Sequence, residues 1–314
     1  MSMKEKNFVS CVIYMHNEEQ TLTAFLDGVK NVMAEHFEKY EIICVDDASD
    51  DGTVAMLQDY VKGQQDSKAI SLIRMSYYQG LEAAMNAGSD LAVGDFIFEF
   101  DRARMDYDSE LILQVYRKAL EGYDIVAAAP RHHISLSSRL FYFVYNLGSR
   151  MGNKLQQERF RLVSRRAVNR VNQLNAYVPY RKAMYVKCGL TMTTIHYDNQ
   201  RVEQRGRNSQ ERESRSGLAF DSFIIFTDIL EKLSLILCGF FLLVMIIMAG
   251  YVVWSVFSEV RPVEGWMSTF GLLAFGFFGL FLLLTLILKY LSVILNLQFR
   301  RQRYIISGIE KLTK

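Results

Sequence analysis

Proline is scarce in this 314-residue chain, with three in all, and the four cysteines are widely scattered. Few prolines leave few fixed breaks between elements. Cys11, Cys44, Cys188 and Cys238 form no CxxC pair and have no histidine at zinc-site spacing, so they read as reduced, buried thiols. Neither GxGxxG nor GxxxxGK[ST] follows any strand-like run, so the two common phosphate-cradling loops are absent. The N-terminus lacks the apolar core and small-residue cleavage site of a signal peptide, and the first domain is expected to stay in the cytoplasm. A net charge of +2 makes no case for nucleic acid as a partner. No internal repeat or low-complexity tract is evident.

Long uncharged runs, by contrast, are present. Residues 233–257 are 25 in a row without a charge, and 266–288 are another 23. Each is long enough to cross about 30 Å of hydrocarbon as a helix. The loop between them, SEVRPVEG, carries a net charge of −1, whereas residues 300–314 hold five basic residues against one acidic. The positive-inside rule therefore places the tail and the N-terminal domain in the cytoplasm, with 233–288 as a hairpin. Residues 217–232 carry apolar side chains at three- and four-residue spacing and predict an interfacial amphipathic helix. Residues 289–314 are expected as an amphipathic basic tail along the membrane surface.

Residues 1–216 alternate between short apolar runs and helix-length segments. Val9–Met15, Ile42–Val45, Ile70–Met75, Phe96–Phe100 and Ile125–Ala128 read as strands. Such alternation predicts an α/β domain with a doubly wound, mostly parallel sheet, in which ligands bind beyond the carboxyl ends of the strands. Polar groups gather there: Tyr14, His16, Asn17 and Glu18 after the first strand, Asp46 and Asp47 after the second, Asp101 after the fourth. Carboxylates so placed suit ribose hydroxyls, base N–H groups or a divalent ion bridging to a pyrophosphate. A solvated Asp-Gly turn is the plainer explanation for residues 46–52 taken alone. Residues 159–170 hold five arginines and no acid, which suits a phosphate or a solvated helix face.

The stretches VSCVIYMHNEEQTL, YEIICVDDASDDGT, YYQGLEAAMNAGSDLAVGDFIFEFD, FRLVSRRAV and KYLSVILNLQFRRQRYII occur in that order. Together with the terminal hairpin, the chain resembles the family 2 glycosyltransferases, in the branch acting on polyprenyl phosphates. The resemblance implies a GT-A fold and transfer of a sugar from a nucleotide-sugar to a polyprenyl phosphate, in a bacterial inner membrane and as a homo-oligomer. It places Tyr14, His16, Asn17, Glu18, Asp46, Asp47 and Arg102 at the donor. Asp101, Glu158 and Arg161 fall at the catalytic centre, and Arg131, Arg165, Arg166, Arg201 and Arg205 at the acceptor phosphate.

It also implies Mg2+ or Mn2+ on a DxD motif. Here Asp101 holds the first carboxylate position and Ala103 the second. Three readings stay open: Asp101 holds the ion with Glu99, Asp106 or Asp108; Arg102 or Arg104 replaces the ion's charge; or the chain is a non-catalytic membrane scaffold or partner subunit.

Overall fold

The computed structural model describes residues 4–63, 70–131, 158–173, 181–198, 266–299 and 304–312, with a few isolated positions between 236 and 257. The chain divides into two compact units, 1–222 with 300–314, and 223–299.

In the first unit the alternating pattern becomes β1 (Val9–Met15), α1 (Leu22–His36), β2 (Tyr40–Asp46), α2 (Thr53–Lys62), β3 (Ile70–Met75), α3 (Leu81–Leu91), β4 (Phe96–Phe100), α4 (Glu110–Leu120) and β5 (Ile125–Pro130). Then follow β6 (Phe160–Ser164), α5 (Arg165–Gln173), α6 (Arg181–Lys187) and β7 (Met192–Tyr197). One sheet holds them in the order β7-β5-β6-β4-β1-β2-β3-β8. Six strands run one way; β6 and β8 run against their neighbours. The expected mostly parallel α/β sheet is therefore observed.

Successive side chains of a strand face opposite sides. In β1, Val9, Cys11, Ile13 and Met15 pack with Leu22, Phe25, Leu57, Ile112 and Val115 from α1, α2 and α4. Val12 and Tyr14 pack the other way, with Ala83, Ala84 and Ala87 of α3 and Tyr185 of α6. Both faces are thus covered, which is why these strands read as unbroken apolar runs. Burial pushes the Cys44 thiol up to about 12 and raises Cys11 as well, so both stay protonated in the core.

The C-terminal tail departs from expectation. β8 (Ile306–Lys311) lies antiparallel along β3 as the sheet's last strand, rather than belonging to a surface tail. Arg74 pairs with Glu310 at 3.3 Å, and Gln79 clasps Ile305 through its side chain, donating to the carbonyl at 2.6 Å and accepting from the N–H at 2.9 Å. Alternation of Ile, Gly and Glu in ISGIEK suits an edge strand better than an amphipathic helix.

In the second unit, α7 (Trp266–Phe299) is a 34-residue helix that begins where the second expected span begins and runs past its end. Its side chains are described only in part, and among the described residues no helix is long and apolar enough to cross a membrane. The expected interfacial helix and first span lie outside the described residues, apart from isolated positions.

α3 sits unusually close to the sheet. A Cβ on Gly88 would stand 2.3 Å from Val12 Cγ1 and 2.9 Å from Val45 Cγ2, both stiff β-branched side chains. Gly88→Ala is expected to cost about 1–3 kcal/mol in denaturant unfolding. Gly308→Ala, where a Cβ meets nothing within 4 Å, is the control expected to change stability little.

Candidate active site

Register brings three chain segments out of the sheet side by side. Met15 is paired with Asp46 and Ile13 with Phe100, so Tyr14–Asn17, Asp46–Ser49 and Asp101 emerge along one carboxyl edge. With adjacent strands about 5 Å apart, the three segments lie within roughly 10 Å of one another across the sheet.

Asp47 organises the β2 end of this edge. Its buried carboxylate accepts the Gln79 N–H (2.8 Å), the Gly80 N–H (2.8 Å) and the Tyr14 hydroxyl (3.1 Å). Burial raises its pKa, and these hydrogen bonds act against that rise. Gly80, at φ 87°, precedes α3 in a conformation that a side chain would strain. The imidazole of His16 is hydrogen-bonded to the Asp47 carbonyl at 2.8 Å and tilts over the ring of Tyr78, with centroids 4.7 Å apart.

Two non-glycine residues here, Asn17 and Ala48, have positive φ. For Ala48 that conformation costs roughly 1–2 kcal/mol. The surrounding loop holds it: the Asn17 N–H donates to Ser49 Oγ at 3.1 Å, and Asn17 Oδ1 accepts the Asp50 N–H at 2.8 Å. The Glu18 N–H donates to Thr53 Oγ1, and the Glu18 carboxylate lies 4.0 Å from Arg104. Asp46 is also buried, with its pKa raised by desolvation against hydrogen bonds from Ser49, whose N–H lies 3.4 Å from the carboxylate.

Asp101 belongs to a second, buried cluster. Arg161 is 1% exposed and reaches three carboxylates: Glu99 at 3.4 Å, Asp101 Oδ1 at 3.4 Å and Glu158 at 3.1 Å. Arg181 bridges Glu82 (3.3 Å) and Glu99 (3.2 Å), while Lys182 Nζ stands 2.8 Å from Asp101 Oδ2. Glu99 also accepts the hydroxyls of Ser89 (3.0 Å) and Tyr185 (2.8 Å). Burial by itself would raise Asp101, but Lys182 and Arg161 outweigh it and hold the carboxyl at about 2.

Sequence reasoning placed Arg161, Glu158 and Asp101 together, and they meet. It missed Gln79, Arg181 and Lys182. The only hint of the last two was a cationic pair set among apolar residues, PYRKAMYV, whose acidic partners lie far back in the chain.

Two expected acceptor residues are elsewhere. β6 runs antiparallel to β4, so Arg165 and Arg166 emerge at the amino edge, the opposite end of the sheet from Asp101. There the Arg165 guanidinium donates to the carbonyls of Ala92 (2.7 Å) and Gly94 (2.8 Å), and Arg166 pairs with Asp124. Both close loops rather than face the site. Arg131 does emerge at the carboxyl edge after β5, 3.6 Å from Asp198, with both side chains largely exposed. Arg102 is half-buried directly after Asp101. Arg201 and Arg205 lie outside the described residues.

Comparison with known proteins decides the affiliation: the family model for glycosyl transferase family 2 matches residues 10–232. The chain belongs to that family. An uncharacterised glycosyltransferase of Synechocystis is 31% identical over 198 residues, 61% of each chain. An undecaprenyl-phosphate 4-deoxy-4-formamido-L-arabinose transferase of Aeromonas hydrophila is 32% identical over 42% of this chain and 40% of its own length. The chain thus spans about 40 to 61% of the lengths of these relatives. Among solved structures, a mannosyltransferase from Pyrobaculum calidifontis in complex with GDP-Man and Mn2+ covers 95% of this chain and 89% of its own, with TM-score 0.53 and 15% identity. It establishes the GT-A-like fold of the chain.

The residues at Asp101 do not fit the divalent ion that the family resemblance implies. Each carboxylate oxygen of Asp101 already faces a cation, Arg161 or Lys182. Ala103, at the second carboxylate position, is fully buried in the apolar core. Glu99 is enclosed by Arg161, Arg181, Ser89 and Tyr185, and Asp106 is held by Arg159 at 2.9 Å and the Tyr197 hydroxyl at 2.9 Å. Asp108 is turned to the start of α4, where it accepts the Glu110 N–H. Among the described residues no group of three or more His, Cys, Asp or Glu is placed to hold a metal. Cationic side chains therefore stand at the Asp101 carboxylate, where the resemblance implied the ion.

The depressed pKa of Asp101 has a signed consequence. A carboxyl lowered by folding adds stability above its unfolded value, near 4, and that stability is lost as pH falls through about 2. The contribution is roughly 2 kcal/mol. Acid unfolding of the wild type is expected to steepen between about pH 4 and pH 2, and Asp101→Asn is expected to lack that component in denaturant titrations across the same range.

Proposed function

We propose that the chain is a membrane-bound glycosyltransferase that moves a sugar from a nucleotide-sugar to a polyprenyl phosphate of the undecaprenyl type. The observation that carries this reading is the convergence of Asp46, the His16–Glu18 loop and the Asp101 cluster on one carboxyl edge of a family 2 fold. Relatives named as undecaprenyl-phosphate transferases support the acceptor class. The structural neighbour is named as a mannosyltransferase in complex with GDP-Man, which supports a nucleotide-sugar as the class of donor.

In this reading the nucleoside lies over the first two strand ends. Asp46, less engaged than Asp47, faces the ribose hydroxyls, and the His16 and Tyr78 rings border the base. Asp47 acts through what it holds: with both oxygens taken by N–H and O–H donors, it fixes Gly80 and the start of α3. Asn17 and Glu18 keep the loop in shape.

The acceptor phosphate is anionic at neutral pH and attacks without first losing a proton to a strong base. Its oxygen forms the new bond to the anomeric carbon as the bond from that carbon to the diphosphate breaks, and the nucleoside diphosphate leaves with the electron pair. Glu158, bound to Arg161 at 3.1 Å, serves in this scheme to hold the guanidinium rather than to take a proton. Arg131, with Arg201 and Arg205, is the candidate contact for the lipid phosphate.

The uncharged runs at 233–257 and 266–288 support a membrane hairpin with the catalytic domain and the basic tail in the cytoplasm. Gly271, Gly276 and Gly279 in the second run permit close helix packing, in keeping with a homo-oligomer.

The test uses the full chain in detergent, with undecaprenyl phosphate and radiolabelled UDP-, GDP- and dTDP-sugars. A labelled product extractable into organic solvent is expected from at least one donor, reduced at least tenfold in Asp46→Asn. No product from any donor sinks the reading.

A further inference from the structure

The family resemblance calls for a divalent cation at Asp101, yet the cations present there are the protein's own. We propose that the Lys182 ammonium takes the place of the metal ion and binds the diphosphate of the donor, so that this chain binds nucleoside diphosphates without a divalent metal. This inference rests on the reading that the strand ends take a nucleotide-sugar.

The argument begins with position. Asp101 follows β4 directly, next to the end of β1 and one strand further from Asp46. Lys182 is tied to that point by its 2.8 Å contact with Asp101 Oδ2, although its own helix, α6, lies 81 residues further along the chain. A cation so placed stands where the diphosphate of a nucleotide seated on Asp46 would reach.

Donor capacity comes next. An ammonium has three N–H groups. One faces Asp101 and a second points at the Glu158 carbonyl, 3.5 Å away. Among the described residues no acceptor is recorded for the third. Lys182 is 8% exposed against 1% for Arg161, so it is the less enclosed of the two cations at Asp101. In a poorly solvated site a fixed cation stabilises a developing diphosphate charge far better than it would in water.

Charge balance points the same way. Glu82, Glu99, Asp101 and Glu158 face Arg161, Arg181 and Lys182, leaving one carboxylate in excess. The cluster is already close to neutral, with little negative charge left to attract a divalent ion. Ala103 fits this account, because a carboxylate there would be buried in the apolar core rather than aimed at a ligand. During transfer the electron pair of the broken bond goes to the departing diphosphate. Lys182 keeps its proton throughout and donates a hydrogen bond to that oxygen.

The experiment is calorimetric titration of the full chain in detergent with UDP, GDP and dTDP, each in EDTA and in Mn2+. At least one nucleotide is expected to bind with a Kd that differs less than twofold between the two conditions. In EDTA, Lys182→Gln should weaken that binding at least tenfold and Lys182→Arg should restore most of it. A merely structural role for Lys182 would lower the fraction of binding-competent protein, read as stoichiometry, while leaving Kd unchanged; that result overturns the assignment. Binding that needs Mn2+ overturns the inference and leaves the donor reading standing. Absence of binding by all three nucleotides in both conditions removes the donor reading, and the inference with it.

Discussion

A guanidinium enclosed in a β-sheet is tolerated only where its charge is met on several sides, and Arg161 meets this requirement with three carboxylates drawn from one strand, the residue after it and the approach to Arg161's own strand. Glu99 and Asp101 come from β4 and its end, Glu158 from the approach to β6. The penalty for taking such ions out of water is several kcal/mol each, so removing one partner leaves an uncompensated charge that the core cannot accept. Much of the rest of the site follows from this. Arg181 adds a second cation at Glu99, because the single charge of Arg161 is shared among three carboxylates. Lys182 is brought to Asp101 by the same short helix. The segment 181–187 is thereby fastened to the sheet through its first two residues, and the carboxyl edge acquires positive charge from a part of the chain distant in sequence.

The β2 end of the edge is organised on a different principle. Asp47 is surrounded by N–H and O–H donors rather than by cations, and burial raises its pKa instead of lowering it. Two carboxylates on one edge are thus placed in opposite electrostatic environments, one made basic by desolvation and one made strongly acidic by neighbouring cations. Left-handed backbone at Asn17 and Ala48 is carried between them, in a loop tied to β2 by hydrogen bonds from both sides.

Legibility in the sequence followed from whether an element's partners were local. β1 could be bounded to the residue because both its faces are apolar, and β3 and β4 because a single charged residue, Arg74 or Glu99, leaves the short apolar run recognisable. β6 was hidden because FRLVS lies within the arginine run 159–170, so Arg161 was counted with a cationic stretch rather than with a core strand. Its direction was hidden too: nothing in FRLVSRR says that Arg161 and Arg166 end up near opposite edges of the sheet, because that depends on β6 pairing antiparallel with β4. The polar clusters after β1 and β2 were readable as a site from their position alone. Lys182 was not, because its meaning lies in Asp101, and only the fold joins the two.

β8 has a consequence beyond completing the sheet. It is hydrogen-bonded to β3, with Met75 opposite Ile306, and β7 belongs to the same sheet, so the excursion between β7 and β8 leaves one sheet and returns to it. Any barrier that this excursion penetrates must be crossed an even number of times. That parity is independent of hydropathy, of loop charge and of which side the domain occupies. An excursion altered to cross an odd number of times would have to surrender β8, together with the Gln79 clasp at Ile305, and with it a support of the loop on which Asp47 is hung.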